Sequence, residues 1–521
     1  MSSETTVTPA ETGKTGRSPQ ALCLNPNDDV LIALRDIAAG TPLPTPRSGE
    51  VKTAVAIPAG HKVAVRKIAS GSPLRRYNQI IGFASHPISP GDHVHTHNLA
   101  MGSFERDYAF CTDTRPERKA ATTVTFNGIV RPDGRVATRN YIGVISTVNC
   151  SANVCRRIAN AFQGAALEAF PNIDGVVPIT HRTGCAMSPE GSDFLRRVMD
   201  GYIRHVNFAG VLLIGLGCET NLVSTLMESG KLRESVRLRP FTIQDTGGTR
   251  ATIERGIAMV REMLPEANRV SRQPVPASHL TLALQCGGSD SYSGISANPA
   301  MGAAVDLLVE QGGTAILAET PEIYGAEHLL TRRAVSREVG QKLVDRIHWW
   351  EQYTARTGGE MDNNPSPGNK AGGLTTILEK SLGAAAKGGT CNLADVVEYA
   401  QPVKTRGLVF MDSPGYDPVS VTGEVASGGN MVCFTTGRGS VFGCKPSPSI
   451  KLATNTTMYR RMQEDMDFNC GEILDGNMTI QEAGERIFQM IIECASGKPS
   501  KSEAYDIGED EFAPWILGPT M

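Results

Sequence analysis

The stretch LALQCGGSDS, residues 282–291, sets the first expectation about how this 521-residue chain folds. An apolar run ends at Cys286 and is followed by two glycines, Ser289 and Asp290. This pattern predicts a short buried strand that ends in a turn, and the glycines would let a ligand approach the backbone closely. Because ligands bind at the carboxyl ends of strands in open α/β sheets, the thiol and the carboxylate indicate a binding site. A structural turn with a buried free cysteine is the alternative interpretation.

The same pattern, an apolar run that ends just before a cysteine, recurs three times between residues 141 and 219. Helical patterns lie between the runs, and strands that alternate with helices predict a parallel sheet. The carboxyl ends of parallel strands share one edge, so we expect four thiols to converge on one metal site: Cys150, Cys185, Cys218 and Cys286. Thiolates there select iron, an iron–sulfur cluster or zinc. Cysteines that act as small buried hydrophobes are the alternative.

Composition argues against several classes of protein. Hydrophobic residues make up 40% of the chain and charged residues 20%, as in ordinary globular proteins. The net charge is −3 without a basic block, which argues against a nucleic-acid surface, and no apolar run is long enough to span a membrane. The polar N-terminus lacks the apolar core of a secretion signal, and residues 1–24 predict a disordered tail. We therefore expect a cytoplasmic protein whose twelve cysteines are mostly reduced.

Shifts in composition divide the rest of the chain into four segments. Short alternating runs bounded by Pro and Gly predict a small β domain over residues 25–101. The charged, aperiodic residues 102–121 predict a linker. Residues 122–272 and 273–521 each alternate strand and helix patterns, which predicts two α/β domains. The chain from about Lys498 onward is expected to be loosely ordered.

The small β domain carries several histidines. On a strand, His93, His95 and His97 would lie on one face, where three imidazoles suit a metal or an anionic substrate. A solvated polar strand face is the alternative. His61 follows a turn and precedes Lys62, which makes it a further candidate contact, although a capping or surface histidine explains the same spacing.

Seven short motifs carry a resemblance to one enzyme family over about residues 27–497. They are GHK at 60–62, HRTGC at 181–185, GLGCE at 215–219, CGGSD at 286–290, SANP at 296–299, NPSPGNK at 364–370 and TGRG at 436–439. Together they resemble the altronate/galactarate dehydratase family of sugar-acid dehydratases. The resemblance implies an N-terminal β-clip domain of the SAF type before two α/β domains with mainly parallel sheets. It also implies an iron-dependent dehydration that yields a 2-keto-3-deoxy sugar acid.

Two motifs bear on the substrate. HVHTHN at 93–98 and PEIYGAE at 321–327 resemble the altronate branch of that family. TGCA at 183–186 stands where this branch typically has YGCS. We therefore expect an aldonate such as D-altronate, with galactarate as the alternative.

The resemblance and the residue chemistry together suggest roles in such a dehydration. A metal can bind the carboxylate and hydroxyl of a 2,3-dihydroxy acid, and a base must take the proton next to the carboxylate. We expect His181 to be that base, with His61 as the second choice. Cations would hold substrate carboxylates: Lys62, Lys370 and Arg438. Other polar side chains would bind the substrate or the metal: Ser289, Asp290, Asn364 and Asn369, with His93, His95 and His97 beside them.

Other functions compete with the dehydratase. A lyase that expels sulfite from a sulfonated hydroxy acid could run the same elimination, and a sugar-acid binding protein would bind without forming a keto acid. A nicotinamide oxidoreductase is disfavoured, because Gly215-x-Gly217 lacks the third glycine of the dinucleotide fingerprint. The expected partner is therefore a small sugar acid, and the expected assembly is a homo-oligomer.

Overall fold

The computed structural model describes residues 19–46, 49–102, 106, 108–116 and 118–518. Within them a small β domain precedes two α/β units built on parallel sheets, which confirms the expected fold class. Most of the predicted disordered tail lies outside the described residues. In the part of the chain described, no helix is both long enough and apolar enough to cross a membrane.

The small β domain is made of nine short strands. They are β1 (Ala21–Leu22), β2 (Val30–Ala33), β3 (Pro42–Thr45), β4 (Gly49–Lys52), β5 (Lys62–Ala64), β6 (Pro73–Arg76), β7 (Gln79–Ala84), β8 (His93–Val94) and β9 (Leu99–Ala100). Antiparallel pairing gives the sheets β1-β2-β5-β8, β3-β4 and β6-β7-β9. Because Ala21 pairs with Ala33, the predicted tail is wrong at its C-terminal end. Gly91 turns the chain into β8 at φ 91°, and a Cβ there would lie 2.0 Å from the Lys52 carbonyl oxygen.

The second unit contains a four-stranded parallel sheet in the order β13-β12-β14-β15. The strands of the whole unit are β10 (Thr125–Val130), β11 (Val136–Ala137), β12 (Tyr141–Ser146), β13 (Gly175–Ile179), β14 (Phe208–Gly215), β15 (Leu238–Thr242) and β16 (Arg272–Pro276). Its helices are α1 (Asn149–Asn160), α2 (Pro189–Ile203), α3 (Val223–Ser229), α4 (Ile243–Thr246) and α5 (Thr249–Ala267). Strands β12 and β14 are buried along their whole length, as expected of parallel strands covered on both faces. A separate antiparallel sheet, β11-β10-β16, adjoins this unit.

The C-terminal unit is built on a seven-stranded parallel sheet in the order β19-β20-β18-β17-β21-β22-β23. Its strands are β17 (Thr281–Cys286), β18 (Thr314–Leu317), β19 (Leu393–Val397), β20 (Gly407–Met411), β21 (Met431–Thr436), β22 (Ser449–Ala453) and β23 (Phe468–Asn469). Its helices are α6 (Ala297–Glu310), α7 (His328–Thr331), α8 (Arg337–Thr357), α9 (Pro367–Ala371), α10 (Ile377–Ala385), α11 (Asp417–Ala426), α12 (Thr456–Arg461), α13 (Gly471–Leu474), α14 (Ile480–Ala495) and α15 (Lys501–Ala504). The stretch at residues 282–291 thus supplies the central strand, β17, and the loop at its carboxyl end.

The prediction of a loosely ordered C-terminus is wrong. Phe512, Trp515 and Leu517 are buried in a core that includes residues of both parallel sheets. The Trp515 ring stacks on Trp350 with 5.3 Å between centroids. These three apolar side chains order the C-terminal segment although they show no helical or strand periodicity. They do so because they are buried between the two parallel sheets.

The described part of the linker follows the surface of the C-terminal unit. Arg106 Nη1 and Tyr108 Oη both donate to the Glu327 Oε1 atom, at 3.0 and 2.8 Å. Further along, the backbone N–H of Cys111 donates to the Thr331 carbonyl at 3.2 Å. These contacts hold the linker against the C-terminal unit.

Candidate active site

Buried ion pairs among three side chains join the small β domain to the C-terminal unit. Lys62 Nζ, from β5, lies 2.9 Å from both carboxylate oxygens of Glu379 on α10, and Arg76 Nη1, from β6, lies 2.5 Å from the same carboxylate. Lys62 also donates to the Gly373 carbonyl at 2.6 Å, and Arg76 donates to the Ser291 carbonyl at 2.6 Å. We call Lys62, Arg76 and Glu379 the ion-pair triad.

The ion-pair triad is charged although it is fully buried. Burial alone would raise the pKa of Glu379, but Lys62 and Arg76 outweigh it and hold that pKa at about 2. Burial lowers the pKa of Lys62 to about 8, even with Glu379 opposing the shift. Lys62 was predicted to contact the substrate. Its ammonium group instead donates its hydrogen bonds to Glu379 and to the Gly373 carbonyl.

Three histidines of the small β domain gather at this junction. His61, which precedes β5, contributes Nδ1 at 2.9 Å from His93 Nε2, and its ring centroid is 4.6 Å from that of His95. His97 lies at the rim, 5.4 Å from His93 between centroids. One ligand nitrogen from each of His61, His93 and His95 lies within 4.8 Å of the others. We call these three residues the histidine cluster.

The histidine cluster is assembled by a turn and not by a strand face. Strand β8 ends at Val94, and Asn98 then shapes the turn. Its Oδ1 accepts from the His95 N–H and its Nδ2 donates to the His93 carbonyl, both at 3.0 Å. The expected extension of the strand through His97 is therefore wrong, although the rings still lie together.

The histidine cluster has the electrostatics of a cation site. Burial, with repulsion from His61 as the next cause, lowers the pKa of His93 to about 4 and that of His95 to about 3. The imidazoles are therefore neutral at neutral pH and keep lone pairs for a metal. His95 Nδ1 is buried without a hydrogen-bond partner among the described residues. A divalent metal ion fits this set of three nitrogen donors.

A loop of the C-terminal unit faces the histidine cluster. His61 Nε2 lies 3.5 Å from the Ala371 carbonyl oxygen at the end of α9. Asn369 stabilises this loop through a reciprocal capping box with Ser366, and its Nδ2 donates to the Ser289 carbonyl at 2.8 Å. Lys370 is half-buried in the same turn. The predicted residues Asn369 and Lys370 thus lie on the loop that contacts His61 through Ala371, and Ser289 is hydrogen-bonded to that loop.

The loop after β17 is held from the opposite side. Asp290 is buried, and its carboxylate accepts from Thr454, Asn455 and Ser293 at 2.9 to 3.1 Å. Both Arg438 and its neighbour Gly437 donate backbone N–H groups to the Gly288 carbonyl. The Arg438 side chain is exposed and passes 3.3 Å from where a Cβ on Gly372 would lie. Asp290 is therefore occupied in holding the loops, whereas Arg438 presents a cation beside them.

Sequence reasoning missed a second buried group, which we call the charge cluster. Its members are Cys286, Glu319, Glu322, Lys380 and Lys387. Lys387 Nζ lies 3.1 Å from the Cys286 sulfur and 3.2 Å from Glu319. Lys380 Nζ lies 2.6 Å from Glu322 and 2.9 Å from Asn364 Oδ1. Charged residues predict exposure, so only the placement of Glu319 after a strand and of Glu322 in the PEIYGAE motif could have indicated it.

The charges of the charge cluster compensate one another. Burial raises the pKa of the Cys286 thiol to about 12, so it stays protonated at neutral pH. Burial, with repulsion from Glu322, raises the pKa of Glu319. Lys380 and Lys387 outweigh burial at Glu322 and lower its pKa. Glu319 also adopts φ 72°, a strained angle for a residue other than glycine.

A cavity of about 10 Å³, room for roughly one water molecule, lies between these groups. It is lined by Cys286, Ser289 and Asp290 on one side and by Glu379 and Lys380 on the other. The ion-pair triad and the charge cluster are therefore neighbours across one small polar space.

The remaining predicted residues lie at the edge of the other parallel sheet. Cys150, Cys185 and Cys218 are exposed there, whereas Cys286 is buried in the charge cluster. The four predicted metal ligands thus occupy two environments, because the strands that carry them belong to different sheets. His181 is buried, with Nε2 3.0 Å from the Ser146 carbonyl and Nδ1 accepting from the Thr183 N–H at 3.3 Å. Burial lowers its pKa to about 4.

Comparison with known proteins identifies relatives over most of the chain. Family models match it over residues 19–102 (altronate/galactarate dehydratase SAF domain), 128–268 (D-galactarate dehydratase/altronate hydrolase, second domain) and 277–520 (D-galactarate/altronate dehydratase, C-terminal). An altronate dehydratase of Bacillus subtilis is 34% identical over 93% of this chain and 97% of its own length. An altronate dehydratase of Escherichia coli is 34% identical over 92% and 96%. A galactarate dehydratase (L-threo-forming) of Escherichia coli is 35% identical over 90% and 92%.

Proposed function

Because this chain belongs to the D-galactarate/altronate dehydratase family, we propose that it removes water from a sugar acid at the junction of its SAF domain and C-terminal unit. The expectation of a hydro-lyase of this type is confirmed by that membership. We propose an aldonate such as D-altronate as the substrate, with galactarate as the alternative, and a 2-keto-3-deoxy sugar acid as the product. We further propose that it works in the cytoplasm as a homo-oligomer.

One observation carries the location of the site: three neutral imidazoles of the SAF domain face a loop of the C-terminal unit, with His61 Nε2 3.5 Å from the Ala371 carbonyl. His61, His93 and His95 would hold a divalent metal ion, for which we propose iron(II). Such an ion supplies Lewis-acid stabilisation of the negative charge that develops next to the carboxylate and on the departing hydroxyl.

The chain's own residues would bind and orient the substrate. Arg438 and Lys370 lie on the loops near the histidine cluster and would hold the substrate carboxylate. The guanidinium of Arg438 can match it in two hydrogen bonds, and Lys370 would add a positive charge. Asp290, Asn364 and Asn369 make hydrogen bonds within the loops, so we propose that they position those loops. Ser289 remains a candidate for a substrate hydroxyl.

We propose His97 as the group that accepts the proton next to the carboxylate. It is exposed at the rim of the histidine cluster, and histidine is suited to proton transfer near neutral pH. His61 would be committed to the metal. His181 hydrogen-bonds backbone groups through both ring nitrogens and is buried at the other sheet, so we propose a structural role for it.

The test is anaerobic purification followed by iron analysis and a 2-keto acid assay on altronate, galactarate and sulfolactate. We expect iron to be retained and altronate to turn over. His61→Ala should lose the iron held by the histidine cluster together with activity, while the exposed control His86→Ala should keep both. Turnover of galactarate alone would replace the substrate, release of sulfite would indicate a sulfo-lyase, and tight binding without a keto acid would overturn the enzymatic proposal.

A further inference from the structure

Three exposed cysteines follow three adjacent strands of the four-stranded sheet. Cys150 lies in the first turn of α1, directly after β12, while Cys185 and Cys218 lie in the loops after β13 and β14. Strand β12 pairs in parallel with both of the others, so all three thiols leave the sheet at the same edge.

Hydrogen bonds tie the three loops together. The Asn149 N–H donates to the Thr183 carbonyl at 2.9 Å, which joins the Cys150 and Cys185 loops. Asn221 joins the Cys218 loop to both others, because its N–H donates to the Gly184 carbonyl at 3.2 Å and its Nδ2 donates to the Thr147 carbonyl at 3.1 Å. The thiols are therefore carried on one connected scaffold.

A glycine with positive φ precedes each of Cys185 and Cys218. Gly184 adopts φ 111° and Gly217 adopts φ 125°, which side chains rarely permit. A Cβ on Gly184 would lie 2.6 Å from the Thr147 carbonyl oxygen. Below them, buried Glu219 accepts from Thr147 Oγ1 and from the Gly217 N–H, both at 2.7 Å.

Other polar groups lie on or next to the loops that carry the thiols. Gln244 Nε2 donates to the Cys218 sulfur at 3.5 Å, the kind of hydrogen bond that tunes metal-bound sulfur. Asn221 Oδ1 is buried and has no hydrogen-bond partner among the described residues. The N-terminus of α1 adds partial positive charge beside Cys150, which favours an anionic ligand.

A single zinc ion and an iron–sulfur cluster are the two metal groups that three thiols suit. A tetrahedral zinc site with bonds of about 2.3 Å brings its sulfurs to within about 4 Å of one another. Within the described residues, these three sulfurs are not all within 4.8 Å, as expected for ligands on three strands about 4.8 Å apart. Iron–sulfur clusters are larger and take cysteine thiolates as their ligands.

We propose that Cys150, Cys185 and Cys218 together ligate an iron–sulfur cluster at the edge of the four-stranded sheet. This site is separate from the histidine cluster, and its presence does not depend on the proposed dehydration. Cys286, the fourth cysteine with the same sequence pattern, takes no part.

The experiment uses the full chain, purified without oxygen and reconstituted with ferrous iron and sulfide. Acid-labile sulfide, visible absorption and electron paramagnetic resonance are measured for the wild type, Cys150→Ser, Cys185→Ser and Cys218→Ser. The control Cys111→Ser changes a half-buried cysteine of the linker. Circular dichroism and gel filtration verify that each variant is folded, and Cys218→Ala provides a second replacement if the serine variant is not.

We expect sulfide and a cluster spectrum in the wild type and in Cys111→Ser, and a loss of at least about tenfold in bound sulfide for each ligand variant. His61→Ala should retain the sulfide while losing the other iron, which separates this proposal from the proposed function. Absence of sulfide in the reconstituted wild type, binding of zinc alone, or full retention of sulfide in folded ligand variants would overturn the proposal.

Discussion

Two strand-end edges of this molecule share one sequence pattern and have opposite environments. At the edge of the seven-stranded sheet, Cys286 is buried with two carboxylates and two ammonium groups. At the edge of the four-stranded sheet, Cys150, Cys185 and Cys218 are exposed. The SAF domain covers the first edge through the ion-pair triad and the histidine cluster.

The difference shows that a strand-end pattern predicts the sheet edge at which a side chain lies, but does not predict whether that side chain is buried or exposed. Under the cover, low dielectric makes charge compensation obligatory and keeps the Cys286 thiol neutral, with its pKa at about 12. At the open edge the three cysteines are exposed to solvent, and no domain in the described part of the chain covers them. The covered edge therefore suits acid–base chemistry on a bound substrate, and the open edge suits a soft metal cluster.

The largest expected effect concerns catalysis at the covered edge. If His97 accepts the proton, His97→Gln should lower kcat by about 10²- to 10⁴-fold, the usual contribution of a positioned base. Bound iron and KM should change little, because His97 is outside the histidine cluster. The matched control is His86→Gln, an exposed histidine of the same domain. A normal kcat in folded His97→Gln would assign the proton transfer to another group.

The second prediction concerns the ion-pair triad that joins the SAF domain to the C-terminal unit. Glu379→Gln leaves Lys62 and Arg76 buried without an anion, which should cost about 3–5 kcal/mol of the free energy of unfolding. Denaturant titration of the variant would measure this. Glu254→Gln, at the exposed Arg250–Glu254 pair, should change little, since solvent screens such pairs. Equal effects of the two substitutions would mean that the ion-pair triad does not hold the domains together.

The third prediction concerns substrate affinity at the rim of the covered edge. Arg438→Ala should raise KM by about 10- to 100-fold, since one charge-assisted hydrogen-bonded contact contributes about 1.5–3 kcal/mol. The value of kcat should fall much less, because the guanidinium would bind the carboxylate equally in the substrate and in the transition state. The control is Arg460→Ala, an exposed arginine of α12. Equal KM values for the two variants would contradict this role.

The smallest expected effect is a pH dependence of the metal-free protein. In the unfolded chain His93 and His95 titrate near an ordinary pKa of about 6.5, whereas burial holds them at about 4 and 3 in the fold. The unfolded state therefore binds protons first as the pH falls, so stability is complete above about pH 6.5 and declines below it. Unfolding midpoints of chelator-treated protein should show a shallower decline for His95→Asn. Parallel curves would contradict this.

Much of the fold follows from local sequence, because the periodicity of a strand or helix is local. The runs before Cys150, Cys185, Cys218 and Cys286 predicted the parallel strands for this reason. The C-terminal residue Trp515 was missed, because its burial depends on side chains from two sheets.

The candidate site was predicted only in part, since its contacts join distant residues. Lys62 and Glu379 are 317 positions apart, and no local pattern pairs them. The gathering of the histidines depends on the turn made by Asn98. Lys387 and Glu319 look like surface residues in the sequence, and only their mutual compensation allows their burial.

An anomalous difference map at the iron absorption edge, from crystals of the anaerobically purified chain, tests most directly the claim that the covered edge is the active site. We expect a single-ion peak within bonding distance of nitrogens of His61, His93 and His95, together with a separate, larger peak among Cys150, Cys185 and Cys218. Iron at the cysteines alone, with the histidine cluster free of anomalous signal, would contradict a metal site at the covered edge and move the active site to the open edge.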